Sequence, residues 1–469
     1  MDVATLTELE NKVTQIFANC DDFLIRKINA GNTAVMFCFF KGITQRDYIS
    51  EKLIKPFLVH ADMLNSFSGN FETILQSSTV KYPPDINEVV DGILRGEVLI
   101  AVEKDGTLYT VMTNCQVSVG RSIDEPTSDI TVKGPKAGFI EDAETNMAQL
   151  RRYIKNSSLK FESVNIGNLT DTKVVIAYME GRANPNVIEN IKTKIKNADA
   201  TAIVDSANIN TLIDKRKFPF FPIMGSSEKV DKVASKILAG RVAIIVDGSP
   251  FVLTAPYVFA ESIQSSEDYY RSTFYATFIR CLRFTALMVA LYLPGLLVTL
   301  ITSYNELIPQ SLYESIQKMR ADMPYSMFWE VVFVLIMFEM LREVGVRMPR
   351  SVGDAIGIVG SLILGDAAIS ARLASPIVIV AIALAAVCAF IVPVYMYSTV
   401  LLRILFLFLG FKLGFYGIIL GTLMLLFLLC RTDSFGSSYM TPLAPFDKTG
   451  LEDFLIASPK KTLGRKEQL

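Results

Sequence analysis

Residues 93–102 read ILRGEVLIAV and residues 237–246 read ILAGRVAIIV, with Asp-Gly close behind each, at Asp105-Gly106 and Asp247-Gly248. Both copies predict the same local structure. An apolar helix end meets a glycine, the residue that most easily takes the left-handed conformation at a helix C-terminus. β-Branched residues then run as a strand, and Asp-Gly turns tightly into a second one. A long motif occurring twice predicts internal duplication, and so two related α/β lobes ahead of whatever follows.

The same signals extend outward. Leu6, Leu9, Val13, Ile16 and Phe17 have helical spacing, residues 34–40 read as a strand, and Tyr82-Pro83-Pro84 closes a first segment, 1–84. A first lobe region is expected over 85–215, then a linker and the second repeat over 216–283. Between the repeats, Gly134-Pro135-Lys136 leads to Glu141-Asp142-Ala143-Glu144 and a helix to Tyr153; acidic residues there favour the helix dipole. Residues 172–179 then read as a strand, 185–195 as a helix and 201–204 as a strand.

Composition narrows the function. The 469 residues carry a net charge of −1 and no basic run before the C-terminus, so nucleic acid is not an expected partner. The six cysteines are scattered without a C-x-x-C pair, which predicts free buried thiols. His60 is the only histidine and reads as a surface residue; its isolation removes histidine-based zinc and triad chemistry. No phosphate loop, nucleophile elbow, metal quartet or dinucleotide fingerprint occurs, so neither an enzyme nor a cofactor is expected. The opening MDVATLTELENK has no basic stretch before an apolar one, so no cleaved signal is expected and the lobes are placed in the cytosol.

Residues 284–430 change character and read as a transmembrane helical domain. The first span, 284–302, contains Pro294 and follows Arg280 and Arg283. Residues 304–324 are polar, with an amphipathic piece from Pro309. The segment 326–341 holds Glu330 and Glu339, intramembrane acidic candidates on opposite sides of one helix, with Glu339 expected at the water interface. Arg342, Arg347 and Arg350 mark a cytosolic loop. Residues 376–397 form another span. Residues 400–430 are too long for one straight crossing, and predict either an interfacial helix plus one span or a bent pair. The tail, 431–469, is placed in the cytosol, which makes the number of crossings even.

Within this half, residues 356–372 read IGIVGSLILGDAAISAR. Gly353, Gly357, Ser361 and Gly365 recur every four residues, a stripe suited to close helix packing. Val359, Leu362, Asp366 and Ser370 fall on the other face and are the pore-lining candidates: apolar side chains can gate by dewetting, and a ring of carboxylates favours cations. A secondary transporter would need broken helices in an inverted repeat, and no repeat is visible among these spans. A scaffold whose lobes only bind partners is the third possibility.

Several phrases, taken in order, resemble the A subunit of bacterial spore germinant receptors, the GerA family. They are Glu125-Pro126-Thr127, Gly134-Pro135-Lys136 through Glu141-Asp142 to Thr145-Asn146, and Tyr178-Met179-Glu180-Gly181. Gly240-Arg241-Val242-Ala243-Ile244, Asp247-Gly248-Ser249-Pro250-Phe251 and Gln264-Ser265-Ser266-Glu267-Asp268-Tyr269-Tyr270 continue it. Arg280-Cys281-Leu282-Arg283, Leu341-Arg342-Glu343 and Ser434-Phe435-Gly436-Ser437 complete the set, which covers about residues 85–442. One stretch departs: of the family's Pro-Phe-Pro and Thr-Glu-Arg-Pro-Asp, only Phe221, Pro222, Glu228 and Asp231 remain. The resemblance implies a multipass protein of the spore inner membrane that acts with a transporter-like, nutrient-binding B subunit and a lipoprotein C subunit. It implies assembly of the A subunit, as a pentamer, into a ligand-gated monovalent-cation channel that triggers germination. Paralogues in the same fold family serve as accessory spore ion channels.

Overall fold

The computed structural model describes residues 5–31, 33–64, 67, 69–75, 79–117, 134–217, 219–321, 323–347, 363–446, 451 and 453–457. The first lobe is built on an antiparallel sheet of β1 (Phe23–Ala30), β2 (Thr33–Phe40), β3 (Val80–Lys81), β4 (Glu97–Lys104) and β5 (Thr107–Asn114), in spatial order β1-β2-β4-β5-β3. The second lobe uses β6 (Leu159–Ile166), β7 (Thr172–Met179), β8 (Gly225–Ser227), β9 (Val242–Val246) and β10 (Val252–Ala255), in order β6-β7-β9-β10-β8. The two orders are the same permutation, so the duplication read from a short motif extends to the whole topology.

Strand alternation explains the layering. In β2, Val35, Phe37 and Phe39 face short helical pieces within residues 46–64, whereas Met36, Cys38 and Phe40 face α1 (Leu6–Ile16) and α2 (Ile86–Leu94). In β7, Val175, Ala177 and Met179 face α3 (Ala143–Tyr153) and α6 (Val230–Leu238). Val174, Ile176 and Tyr178 face α4 (Pro185–Lys196) and α5 (Ser206–Ile213). Both faces of each sheet are covered, which is why these strands read as continuous apolar runs. The helices begin on capping side chains: Asp85 accepts from Glu88 N at 2.8 Å, and Asp142 from Thr145 N at 2.7 Å.

The repeat glycines behave as expected. Gly96 and Gly240 have φ of +90° and +101°, and a Cβ on Gly240 would lie 2.9 Å from the carbonyl oxygen of Arg182. The turns differ. Asp105 and Gly106 both have positive φ and close a two-residue hairpin with Lys104 opposite Thr107. In the second copy Ile244 pairs with Leu253, so the connection, 247–251, is longer than the tight turn expected. Its polar groups bond elsewhere: Ala143 N donates to Asp247 Oδ1 at 3.0 Å and Ser249 Oγ to Asp205 Oδ2 at 2.6 Å.

Two other expectations change. The first sheet takes β1 and β2 from before residue 84 and β4 and β5 from after it, while the second straddles residue 215. Residues 201–204 are not a strand. The neighbour of β7 on that side is β9, with Val174 opposite Val246, and Thr201 O instead accepts from Leu169 N at 2.9 Å. All six cysteines are free; Cys20, Cys38 and Cys115 are buried, but Cys281 and Cys430 are exposed. His60 is exposed.

The lobes meet along residues 19–23 and β6, where Asp21 N donates to Phe161 O at 3.0 Å and Phe161 N to Asn19 O at 3.1 Å. At their centre Arg151, 1% exposed, forms a fork with Asp22 at 2.7 and 2.9 Å and lies over the rings of Phe40 and Phe161.

The helical region contains α7 (Thr273–Ser303), α8 (Gln310–Arg320), α9 (Met327–Arg347), a helix over 363–370, α10 (Pro376–Ile391), α11 (Met396–Leu413) and α12 (Phe415–Arg431). Among the described residues, Thr273–Ser303 and Pro393–Leu413 are long and apolar enough to cross a membrane; α10 and α12 are apolar but shorter. Pro294 lies inside α7 without ending it. The span expected over 376–397 stops at Ile391, because a proline at 393 cannot continue the hydrogen-bond ladder and disfavours helix at the residue before it. Of the two readings of 400–430, the bent pair is found. Gly414 (φ +61°) breaks the chain, and α12 folds back so closely that a Cβ on Gly421 would lie 2.8 Å from the Phe406 ring. Helices α7 and α11 also cross on glycines: a Cβ on Gly295 would lie 2.8 Å from Phe406 O, and one on Gly410 3.0 Å from Gly295 O.

Candidate functional site

The ends of the helices establish their directions. Tyr395, just before α11, bonds Ser262 and Tyr439 on the lobe side, whereas Gly414 at the other end of α11 lies against Tyr304 at the end of α7. Thus α7 and α11 run away from the lobes, and α12 returns. Glu330 near the start of α9 meets Ser375 at the start of α10, and Arg342 lies over the ring of Tyr397 near the lobes. Both α9 and α10 therefore run toward the lobes. The end of α9 and the start of α10 lie at opposite ends of the helical region, and residues 348–375 join them.

That connection carries the 356–372 stretch with Asp366. In the 363–370 helix, Asp366 and Ser370 lie four residues apart and both are exposed, as is Ile363. Ala368 faces the other way, buried among Val334, Val378 and Ile382. Among the described residues, a Cβ on Gly365 would meet nothing within 4 Å, so no close helix crossing is made there. Gly353, Gly357, Val359, Ser361, Leu362 and Arg350 lie outside the described residues.

Glu330 is 2% exposed and joins three elements. It accepts from Ser375 N at 2.5 Å, from Ser375 Oγ, and from Arg320 Nε of α8 at 3.3 Å. A buried carboxylate with that many donors is held, so it fixes where α10 begins. Glu339, the acid placed at the water interface by its neighbouring charges, lies near the lobe end of α9. It is partly buried and paired, 2.6 Å from Arg342 on its own helix and 3.7 Å from Arg403 of α11. Arg347 pairs with Glu343 at 2.7 Å, both exposed.

The junction between second lobe and helices was not singled out from the sequence. From the sequence, Arg280 and Arg283 read as charges flanking a span and as part of a family phrase, with no partner indicated. Arg280 is fully buried, 3.1 Å from Asp268 and 2.8 Å from Asp453, and Arg283 adds a 2.7 Å bond to Asp268. Tyr269 OH donates to Asp453 Oδ2 at 2.7 Å; burial first, then the Asp453 charge, push its phenol well above the usual range, so it stays a donor. A chain of hydroxyls runs beside this cluster: Tyr257 to Ser262 at 3.1 Å, Ser262 to Tyr395 at 2.7 Å, and Tyr395 to Tyr439 at 2.7 Å. After α12, the turn at Phe435-Gly436 inserts Phe435 into the second lobe's core beneath Lys194, whose Nζ lies 4.7 Å from the ring centre. The only sequence signal for this plug was the phrase Ser434-Phe435-Gly436-Ser437.

Two α/β lobes of identical strand order, clamped to a helical region in which two described helices are long and apolar enough to cross a membrane, define the class of protein. The family described as Bacillus/Clostridium GerA spore germination protein matches residues 11–469, and the chain belongs to that family. It is 36% identical over 445 residues to spore germination protein KA of Bacillus subtilis (strain 168), covering 93% of this chain and 81% of the relative. It is 34% identical over 462 residues to the uncharacterized membrane protein YfkQ of the same organism, covering 98% and 90%. A crystal structure of the N-terminal domain of the A subunit of the Bacillus megaterium spore germinant receptor GerK3 aligns at 27% identity and TM-score 0.42, over 55% of this chain and 96% of that one.

Proposed function

We propose that this chain is a membrane subunit of a nutrient-sensing spore germinant receptor, and that its copies assemble into a ligand-gated monovalent-cation channel that triggers germination. The observation that carries this reading is family membership over nearly the whole chain, joined to a helix face on which Asp366 and Ser370 are exposed among the described residues. A transporter-like B subunit and a lipoprotein C subunit are the proposed partners, and the spore inner membrane the proposed site, with the lobes in the cytosol. The helix directions favour six crossings: α7, α9, the 348–375 connection, α10, α11 and α12. That number is even, so both termini lie on one side. Asp366 and Ser370 would face the cation path, with Val359 and Leu362 above them, and the small-residue stripe would pack against a neighbouring helix.

The test is single-channel recording from the purified full chain in liposomes, beside Asp366→Asn. The expected result is a cation-selective conductance whose preference for K⁺ over Cl⁻ falls in the variant, since the carboxylate ring loses its charge. Absence of conductance would overturn the channel reading. A conductance with unchanged selectivity would remove Asp366 from the path.

A further inference from the structure

Helix α8 follows the end of α7, at the end of the helical region away from the lobes. At about 100° per residue, Leu312, Ile316 and Met319 share one face, with Gln310, Glu314 and Lys318 opposite. Only the middle apolar residue is covered. Ile316 is buried against Val298 and Met327, while Leu312 and Met319 on either side remain 48% and 37% exposed. The helix therefore overhangs the bundle, its apolar edge turned the same way as Ile316. Ile316 and the Arg320–Glu330 pair hold the overhang in place.

A second observation says what lies beneath that edge. Trp329, the only tryptophan in the chain, is 62% exposed at the start of α9. From it an uncovered apolar stripe continues along the helix through Phe333, Ile336 and Met340. Resting on the reading that these helices cross a bilayer, the stripe meets lipid, and its Trp329 end lies where acyl chains give way to headgroups. We infer that α8 is an interfacial helix docked on the leaflet opposite the lobes, and that its partner is the headgroup–acyl boundary of a phospholipid bilayer. A helix with one apolar and one charged face lies in that plane, about 5–10 Å below the headgroups, and tryptophan is enriched at the same level. The exposed Tyr325, between α8 and α9, is similarly suited to that layer.

The experiment uses the full chain reconstituted into phosphatidylcholine–phosphatidylglycerol liposomes, with flotation to establish insertion. Emission of Trp329 is then read against lipids brominated near the headgroup, lipids brominated near the chain end, and aqueous acrylamide. In the variant L312W/W329F the sole tryptophan moves onto α8 and the measurement is repeated. The expected result at both positions is blue-shifted emission, quenched more by shallow than by deep bromine and weakly by acrylamide. A chain that fails to float would overturn the spanning reading, and this inference with it. A chain that floats but whose tryptophan at position 312 is quenched by acrylamide as freely as in water would overturn the inference alone. So would quenching mainly by deep bromine. Shielding from both lipid and acrylamide would overturn it in favour of a contact with a second copy.

Discussion

At the scale of single residues, the strongest constraint is the Arg151–Asp22 pair between the lobes. Both side chains are buried, and their bond is a two-armed fork, so removing one partner leaves the other's charge stranded. Arg151→Ala should lower the stability of the full chain by about 3–5 kcal/mol, a typical cost of breaking a buried ion pair. Thermal unfolding in detergent would show it, and Arg151→Lys should recover only part, because an ammonium cannot form the fork or stack in the same way on Phe40. A melting temperature unchanged in Arg151→Ala would mean that the lobes are held by their backbone contacts alone. None of this was legible in the sequence. Asp22 and Arg151 are far apart along the chain, and nothing local distinguishes either from a surface charge.

At the scale of helices and strands, glycine spacing was informative but pointed to more than one place. The four-residue stripe through Gly353, Gly357, Ser361 and Gly365 is the visible pattern, yet among the described residues a Cβ on Gly365 would meet nothing within 4 Å. Among the described residues, close crossings fall at Gly295 with Gly410 and at Gly421, because a small residue permits approach without naming the partner. Gly410→Leu should separate α7 from α11: its Cβ alone would lie 2.6 Å from Thr299 Oγ1. Overpacking of this kind costs about 1–3 kcal/mol. The expected outcome is a lower detergent melting temperature, with the first lobe's hydrogen exchange unaffected; an unchanged melt would show that the crossing opens without penalty. Strand content was legible wherever both faces are apolar, as in β4, β7 and β9. The 201–204 segment was misread because a short run of β-branched residues carries no information about whether a strand lies beside it to pair with.

At the scale of the whole molecule, duplication was legible from ten residues because a helix end, a glycine and a strand must recur together if the unit recurs. The division of the chain was not. Pro83-Pro84 interrupts the chain but not the sheet, since an antiparallel sheet recruits strands from either side of a long connection. The docking of the lobes on the helices was equally hidden, for one of its anchors is Phe435, placed after the last helix. That residue has a positive φ of 55°, costly for a bulky side chain, and its burial offsets the cost. Phe435→Ala should weaken the docking by about 3–5 kcal/mol, the usual range for emptying an aromatic site. Faster hydrogen exchange in residues 433–438, with β4 and β5 protected as before, is the expected signature; unchanged exchange there would show that the hairpin stays seated without its ring.

The second lobe holds the helical region at three places: through residues 256–272 leading into α7, through the hairpin that follows α12, and through Phe220 and Phe221, which reach Ser398 and the Tyr395 ring at the start of α11. A body tethered at one point can swivel freely, and at two it can still rock about the line between them. Held at three, this lobe keeps no free axis, so any displacement of it is passed to α7, α11 and α12 together.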